Sequence, residues 1–308
     1  MGKRVVFLGS DGIGAATLKF LTEKSGTDWE LVGVVSGPDR PSGRGLCLHA
    51  NPIVEMAKCL QLPLFQPEFP KTELLPWLAE RRPELGIVFA YGHILRQDVL
   101  DALPLGWINL HASLLPELRG PSPVAGAILQ RKLETGISLM QLVRRMDAGP
   151  VYGTARVAVD PRETTPSLRE KLSAAAVVLM KNFLADIFAG QVVAQEQDEN
   201  AATYTEMIRK EDGLLDFRKS AAELEAQVRA YAEWPGSFFI NRGECIRVGS
   251  AALGVSGTTE APGTIIGLRN GALEIATGNG ILCCLELQRP TKKMLPADAV
   301  WRFFTHSP

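Results

Sequence analysis

Asn109 and His111 stand one residue apart at the end of the apolar run Gly106-Trp107-Ile108, and the chain continues as Ala112-Ser113-Leu114-Leu115-Pro116. Side chains alternate between faces in an extended strand, so this spacing sends the carboxamide and the imidazole to one side. The carboxyl ends of strands in an open α/β sheet are where substrates bind. There an amide N–H can hold a developing oxyanion, and an imidazole can move a proton. A carboxylate would complete the set, and Asp147, within Met146-Asp147-Ala148-Gly149-Pro150, supplies one. Each residue also has a plainer role open to it: a hydrogen-bonded structural histidine, a loop-capping asparagine, a turn-forming aspartate. Together the three make acyl-transfer equipment.

Positioning them calls for alternating strands and helices. Compact apolar runs predict strands over 4–8, 31–35, 85–89 and 107–110, with helical spacing over 15–21 and 123–129. That alternation argues for an α/β fold, a Rossmann-like domain with a mostly parallel sheet and helices on both faces. Further strands are expected over 137–142 and 151–159, flanking the Asp147 turn, and a long helix over 165–188 with Thr164 or Thr165 as its cap. Residues 190–208 are polar and aperiodic and read as a linker. Beyond it an amphipathic helix over 220–231 precedes short strands broken by Asn241-Arg242-Gly243, Pro262-Gly263, Asn270-Gly271 and Gly278-Asn279-Gly280. Such texture predicts a small β-barrel. The expected organisation is a catalytic domain over 1–189, a linker over 190–208 and a C-terminal OB-like domain over 209–308.

Three loops carry two readings each. Gly9-Ser10-Asp11-Gly12-Ile13-Gly14 follows the first strand, but its glycine spacing departs from a dinucleotide fingerprint and no acidic residue ends the second strand. A tight βα turn is the better reading, and no nicotinamide cofactor is inferred. Pro38-Asp39-Arg40-Pro41-Ser42-Gly43-Arg44-Gly45 is either a surface loop or an adaptable arm whose Arg40 and Arg44 contact phosphate. Phe89-Ala90-Tyr91-Gly92-His93-Ile94-Leu95 either packs Ile94 and Leu95 into the core or, through Gly92, lets a flat ligand approach the backbone.

Composition excludes several classes. The 308 residues carry a net charge of −1, so no global basic field drives non-specific nucleic-acid binding, and any such contact must come from local patches. The opening residues run straight into a strand, with too short an apolar run for a secretory leader, and the apolar segments fall short of the roughly 20 residues a membrane span needs. Five cysteines (Cys47, Cys59, Cys245, Cys283, Cys284) lack ligand spacing and read as reduced thiols of a cytoplasmic protein; with four histidines, no metal site is expected.

The run Asn109-x-His111-x-Ser113-Leu114-Leu115-Pro116, followed by Met146-Asp147-Ala148-Gly149-Pro150, resembles the folate-dependent formyltransferases. Within that superfamily the chain is most similar to the members that act on methionyl-tRNA. The narrower likeness rests on the Pro38–Gly45 loop, Ala90-Tyr91-Gly92-x-Ile94-Leu95, Arg119-Gly120 with Pro123, and Gly136-Ile137-Ser138-Leu139-Met140-Gln141. Towards the end it continues in Val228-Arg229-Ala230-Tyr231, Trp234-Pro235, Pro262-Gly263-Thr264-Ile265, Ala276-Thr277-Gly278-x-Gly280 and Lys292-Lys293-Met294.

The resemblance implies a Rossmann-like domain followed by an OB-like barrel, with 10-formyltetrahydrofolate as co-substrate and no metal. It assigns catalysis to Asn109, His111 and Asp147. Folate contacts fall to Ser113, Leu114, Leu115 and Pro116 with Tyr91, Gly92, Ile94 and Leu95, and tRNA contacts to Arg40, Arg44, Lys292 and Lys293. The implied acceptor is the α-amine of initiator methionyl-tRNA, with an amino sugar as the alternative. No membrane and no obligate protein partner are implied. Leu46 and Cys47 stand where some members have lysines, and Glu117 where a basic residue is common, each a phosphate contact fewer. Arg144 and Arg145 are more basic than the pattern.

Overall fold

Val5, Val6, Phe7 and Leu8 have no exposed surface, which is what a strand flanked by neighbours on both edges and covered on both faces requires. They belong to β1 (Lys3–Leu8), third in a seven-stranded sheet that also contains β2 (Trp29–Val35), β3 (Leu64–Phe65), β4 (Leu85–Val88), β5 (Trp107–His111), β6 (Glu134–Gln141) and β7 (Val151–Ala158). The order is β3-β2-β1-β4-β5-β6-β7. Pairing is parallel from β3 through β5 and antiparallel across β5–β6 and β6–β7. The computed structural model describes residues 2–42, 47–255 and 257–305. The expected α/β class and mostly parallel sheet are found.

Helices α1 (Ala15–Glu23), α2 (Pro52–Cys59) and α3 (Pro70–Arg81) connect the parallel strands. Asn51 caps α2, its carboxamide oxygen accepting from the Ile53 and Val54 amides. No element is expected from the sequence between 52 and 81, where Pro76 interrupts the pattern of α3. Close packing fixes β4 against β5, since a Cβ at Gly86 would lie 1.9 Å from the Trp107 ring. One core cluster gathers Val6, Leu8, Val35, Leu74, Leu78, Val88 and Trp107. After α4 (Pro123–Leu129) and β7 comes α5 (Thr165–Ala189). Contrary to the expectation from apolar runs, α5 is long and apolar enough to cross a membrane by length and composition. Its buried Leu172, Ala176, Met180, Leu184 and Ile187 recur every three or four residues, so they form one stripe.

The described chain divides into two compact units. One comprises residues 1–123, 134–158 and 169–205, the other 124–133, 159–168 and 206–308. Most of the segment expected as a linker therefore packs within the first unit. The second unit contains α6 (Ala221–Ala230) and the strands β8 (Ser237–Asn241), β9 (Glu244–Leu253), β10 (Ile265–Arg269), β11 (Ala272–Ala276) and β12 (Ile281–Gln288). Ser220 begins α6 with a capping box to Glu223. The strands pair antiparallel in the order β8-β9-β12-β11-β10, with bulges in β9 that increase local twist. Leu224, Val228, Phe239, Ile246, Leu273, Ile275 and Leu282 build its core.

Candidate active site

Strand β5 delivers Asn109 and His111 to one face, as the spacing predicts, and both are nearly buried, at 9% and 6% exposure. The Asn109 carboxamide has no hydrogen-bond partner among the described residues, although its backbone is held between Val88 and Met140. The His111 Nε2 lies 2.9 Å from the Leu118 carbonyl oxygen. A carbonyl can only accept, so Nε2 carries its hydrogen, and Nδ1 is the nitrogen left to exchange a proton. That nitrogen faces Asp147 Oδ1 at 3.6 Å, too long for a hydrogen bond and short enough for an ion pair.

Asp147 reaches His111 from a strained turn. Its φ is +50°, a left-handed conformation that non-glycine residues rarely adopt. Asp147 Oδ2 accepts the Gly120 amide at 2.8 Å. Gly120 itself has φ +106°, and a Cβ there would lie 2.5 Å from the Thr205 carbonyl oxygen. At Gly149 a Cβ would meet the Gln141 carbonyl oxygen at 1.9 Å, so only glycine fits the close approach of the turn to β6. Leu118 also has positive φ, at +56°. Strained backbone of this kind persists only where surrounding contacts over-determine it.

Those contacts come from residues outside the expected catalytic trio. Arg119 has no exposed surface, and all five guanidinium hydrogens are used: on Gln197 Oε1 through Nε and Nη2, on both Glu199 oxygens, and on the Tyr204 hydroxyl. Glu199 raises the Arg119 pKa further, and Arg119, with Arg145 behind it, holds the Glu199 carboxyl below its usual range. The Gln197 amide nitrogen donates to the Asp147 and Gly149 carbonyls at 2.8 and 2.7 Å. Arg145 ion-pairs with Glu199, which gives one of the two unexpected arginines a structural place. Arg119 could be flagged only by resemblance, and Gln197 and Glu199 sit in a polar run with no periodicity.

The residues expected to bind folate divide by location. Ser113 is fully buried, and its hydroxyl donates to the Glu117 carbonyl at 2.6 Å, so it shapes the turn from within. Leu114, Leu115 and Pro116 are half-buried, and the Leu115 amide is held by Ser138 Oγ. Tyr91 and Leu95 lie in the core cluster. Burial pushes the Tyr91 phenol up to about 12, and its hydroxyl has no hydrogen-bond partner among the described residues. Gly92 and Ile94 are exposed, Ile94 at 73%.

Of the residues expected to meet tRNA, Arg40 is exposed and starts a short hairpin strand, Arg40–Ser42, whereas Arg44, like Leu46, lies outside the described residues. Lys292 and Lys293 are exposed and line a groove of about 660 Å³ with Arg242, Arg289 and Arg302. Within it the Arg289 guanidinium sits 3.8 Å from the centroid of the Phe303 ring and pairs with Glu244. Among the described residues, no group of three or more histidine, cysteine or acidic side chains gathers as a metal site.

Residues 3–184 match the family model described as formyl transferase, and residues 207–305 the one described as formyl transferase, C-terminal domain. A methionyl-tRNA formyltransferase of Roseiflexus castenholzii is 40% identical over 304 residues, covering 98% of this chain and 96% of that protein. The methionyl-tRNA formyltransferase of Bacillus subtilis is 35% identical, covering 96% and 93%. Among solved structures, HypX from Aquifex aeolicus in complex with tetrahydrofolic acid superposes with a TM-score of 0.66 at 16% identity, over 97% of this chain and 47% of its own. The methionyl-tRNA formyltransferase from Clostridium thermocellum gives 0.57 at 13% identity, over 82% and 94%. At such identities the structural likeness speaks to fold alone.

Proposed function

Because the chain belongs to the formyl transferase family, we propose that it moves the formyl group of 10-formyltetrahydrofolate to the α-amine of initiator methionyl-tRNA, a cytoplasmic step of translation initiation. The observation that carries the reading is the nearly buried His111–Asp147 pair with, on the same strand as His111, the Asn109 carboxamide, which has no hydrogen-bond partner among the described residues. That is one donor without a partner, one proton carrier and one carboxylate, and no covalent nucleophile is required.

Folate supplies an activated formyl group and a nitrogen leaving group. The amine of the methionyl ester, whose basicity the ester lowers, forms the new C–N bond. Asn109 donates to the formyl oxygen as it gains negative charge, a role worth roughly 3 kcal/mol of barrier. The Leu118 carbonyl fixes the His111 ring, so its Nδ1 is the site at which a proton is held or passed. Asp147 faces that atom and takes the amine proton, directly or through water. The proton lost by the amine matches the one gained by the departing folate nitrogen, and the enzyme ends as it began.

The half-buried Leu114-Leu115-Pro116 segment beyond β5 is the apolar wall assigned to the folate ring. The basic groove with Lys292 and Lys293, together with the loop bearing Arg40 and Arg44, is assigned to tRNA phosphates. Incubation with 10-formyltetrahydrofolate and either charged initiator tRNA or nucleotide-linked amino sugars tests the reading. Formyl label on the methionyl amine is the expected result. Label on the sugar alone would overturn the acceptor assignment and leave the formyl-transfer chemistry standing.

A further inference from the structure

The 195–205 segment, polar and aperiodic in sequence, is stitched to both halves of the His111–Asp147 pair. On the histidine side, Thr203 Oγ1 accepts the Leu118 amide and the Thr203 carbonyl accepts the Arg119 amide, each at 2.9 Å. These bonds hold the backbone that presents the Leu118 carbonyl to His111. Thr205 returns two bonds to the Arg119 carbonyl, which steadies the Gly120 amide under Asp147 Oδ2. On the aspartate side, the Gln197 amide nitrogen bridges the Asp147 and Gly149 carbonyls, clamping the turn that begins at the residue with φ +50°. The amide cannot be reversed. Its oxygen faces Arg119, which only donates, and its nitrogen faces two carbonyls, which only accept.

We infer that Gln197, oriented by buried Arg119, is a positioning residue for formyl transfer: it holds the left-handed Asp147 turn so that the carboxylate faces His111 Nδ1. Gln197 touches no reacting atom in this scheme. Without its two donated bonds, the Asp147 backbone can relax toward ordinary φ values, and relaxation swings the carboxylate off the imidazole. Displacement by about 1 Å of a group that handles a proton costs up to about 100-fold in rate. The inference rests on the formyl-transfer reading for its rate effect, but its geometric part does not.

The test uses the full chain with Gln197→Ala and Gln197→Glu. The glutamate keeps size and the acceptor for Arg119 but places an oxygen against two carbonyl oxygens. Single-turnover transfer from 10-formyltetrahydrofolate to methionyl-tRNA is expected to slow between about 10- and 100-fold in both variants, with KM for either substrate within about twofold of wild type. In an Asp147→Asn background, Gln197→Ala is expected to cost no further rate, because the two changes act through one group. Independent losses that multiply, or a defect confined to KM, would overturn the proposal. A crystal structure of Gln197→Glu decides the geometry whatever amine the enzyme accepts. A carboxylate still 3.6 Å from His111 Nδ1 refutes the proposal, and a displaced one supports it. Wild-type protein inactive on methionyl-tRNA would speak against the acceptor alone, since the crystallographic outcome stands without it.

Discussion

Replacing Asn109 with alanine separates chemistry from stability more cleanly than any other change in this site. The side chain is 9% exposed and its carboxamide has no partner among the described residues, so truncation orphans no buried donor or acceptor. The backbone hydrogen bonds to neighbouring strands, with Asn109 opposite Val88 and Met140, do not involve the side chain. A stability change below about 1 kcal/mol follows, shifting Tm by no more than about 4 °C. The catalytic cost is of another order. One preorganised donor to an oxyanion contributes roughly 3–4 kcal/mol, a factor of about 10² to 10³ in kcat. Because the formyl oxygen gains its charge only on the way to the transition state, KM for folate and for tRNA should hardly move. Rapid-quench single-turnover transfer, with a thermal melt on the same preparation, measures both quantities. Full turnover by a folded Asn109→Ala protein would refute the oxyanion role, and a large loss of Tm would mean that the carboxamide is structural.

His111→Gln can keep a donor near the Leu118 carbonyl while losing the nitrogen that faces Asp147, so it should fold and lose about 10²-fold in kcat; near-normal kcat would show that Nδ1 carries no proton in the reaction. Lys292→Ala with Lys293→Ala should weaken tRNA binding and flatten its salt dependence by about 0.7–0.9 per lost phosphate contact, and Arg44→Ala should do likewise, with folate KM unchanged; equal losses for both ligands would contradict the assignment. Glu199→Gln tests the ion cluster by pH. Arg119 first, and then Arg145, hold the Glu199 carboxyl below its ordinary value of 4.5, so its stabilisation is fully present above that value and is lost as pH falls through the lower folded one. The Tm gap between wild type and variant should therefore be widest near neutral pH and close in acid, and a gap that grows on acidification would exclude the mechanism.

The sheet was legible because its signal is local. Four buried runs of alternating or wholly apolar residues mark β1, β2, β4 and β5, and the two-residue spacing of Asn109 and His111 survives folding unchanged. The β3 pair Leu64–Phe65 and helix α3 were not legible: one is too short to show a period, and the other carries Pro76 with little amphipathy. The contacts of the 190–208 stretch, most of which groups with the first compact unit, were not legible for a related reason. Gln195, Gln197, Glu199, Thr203 and Thr205 engage through side chains and single bridges, and neither pattern leaves a hydrophobic period to read.

The division between what could and could not be read follows the division of labour in the site. Asn109 and His111 are aimed by a regular strand, whose geometry follows from local sequence. Asp147, Leu118 and Gly120 are aimed by backbone that local sequence disfavours or leaves open, with φ of +50°, +56° and +106°. A left-handed aspartate costs on the order of 1–2 kcal/mol, which two short bonds from one glutamine amide and one from the Gly120 amide are sufficient to offset. Such an amide works only if it cannot turn over, and a neutral side chain in a polar pocket ordinarily can. The fully buried Arg119, with every hydrogen committed, removes that freedom. A charged residue is thus buried at a distance from the chemistry because the proton-handling pair needs a neutral neighbour with a fixed sense.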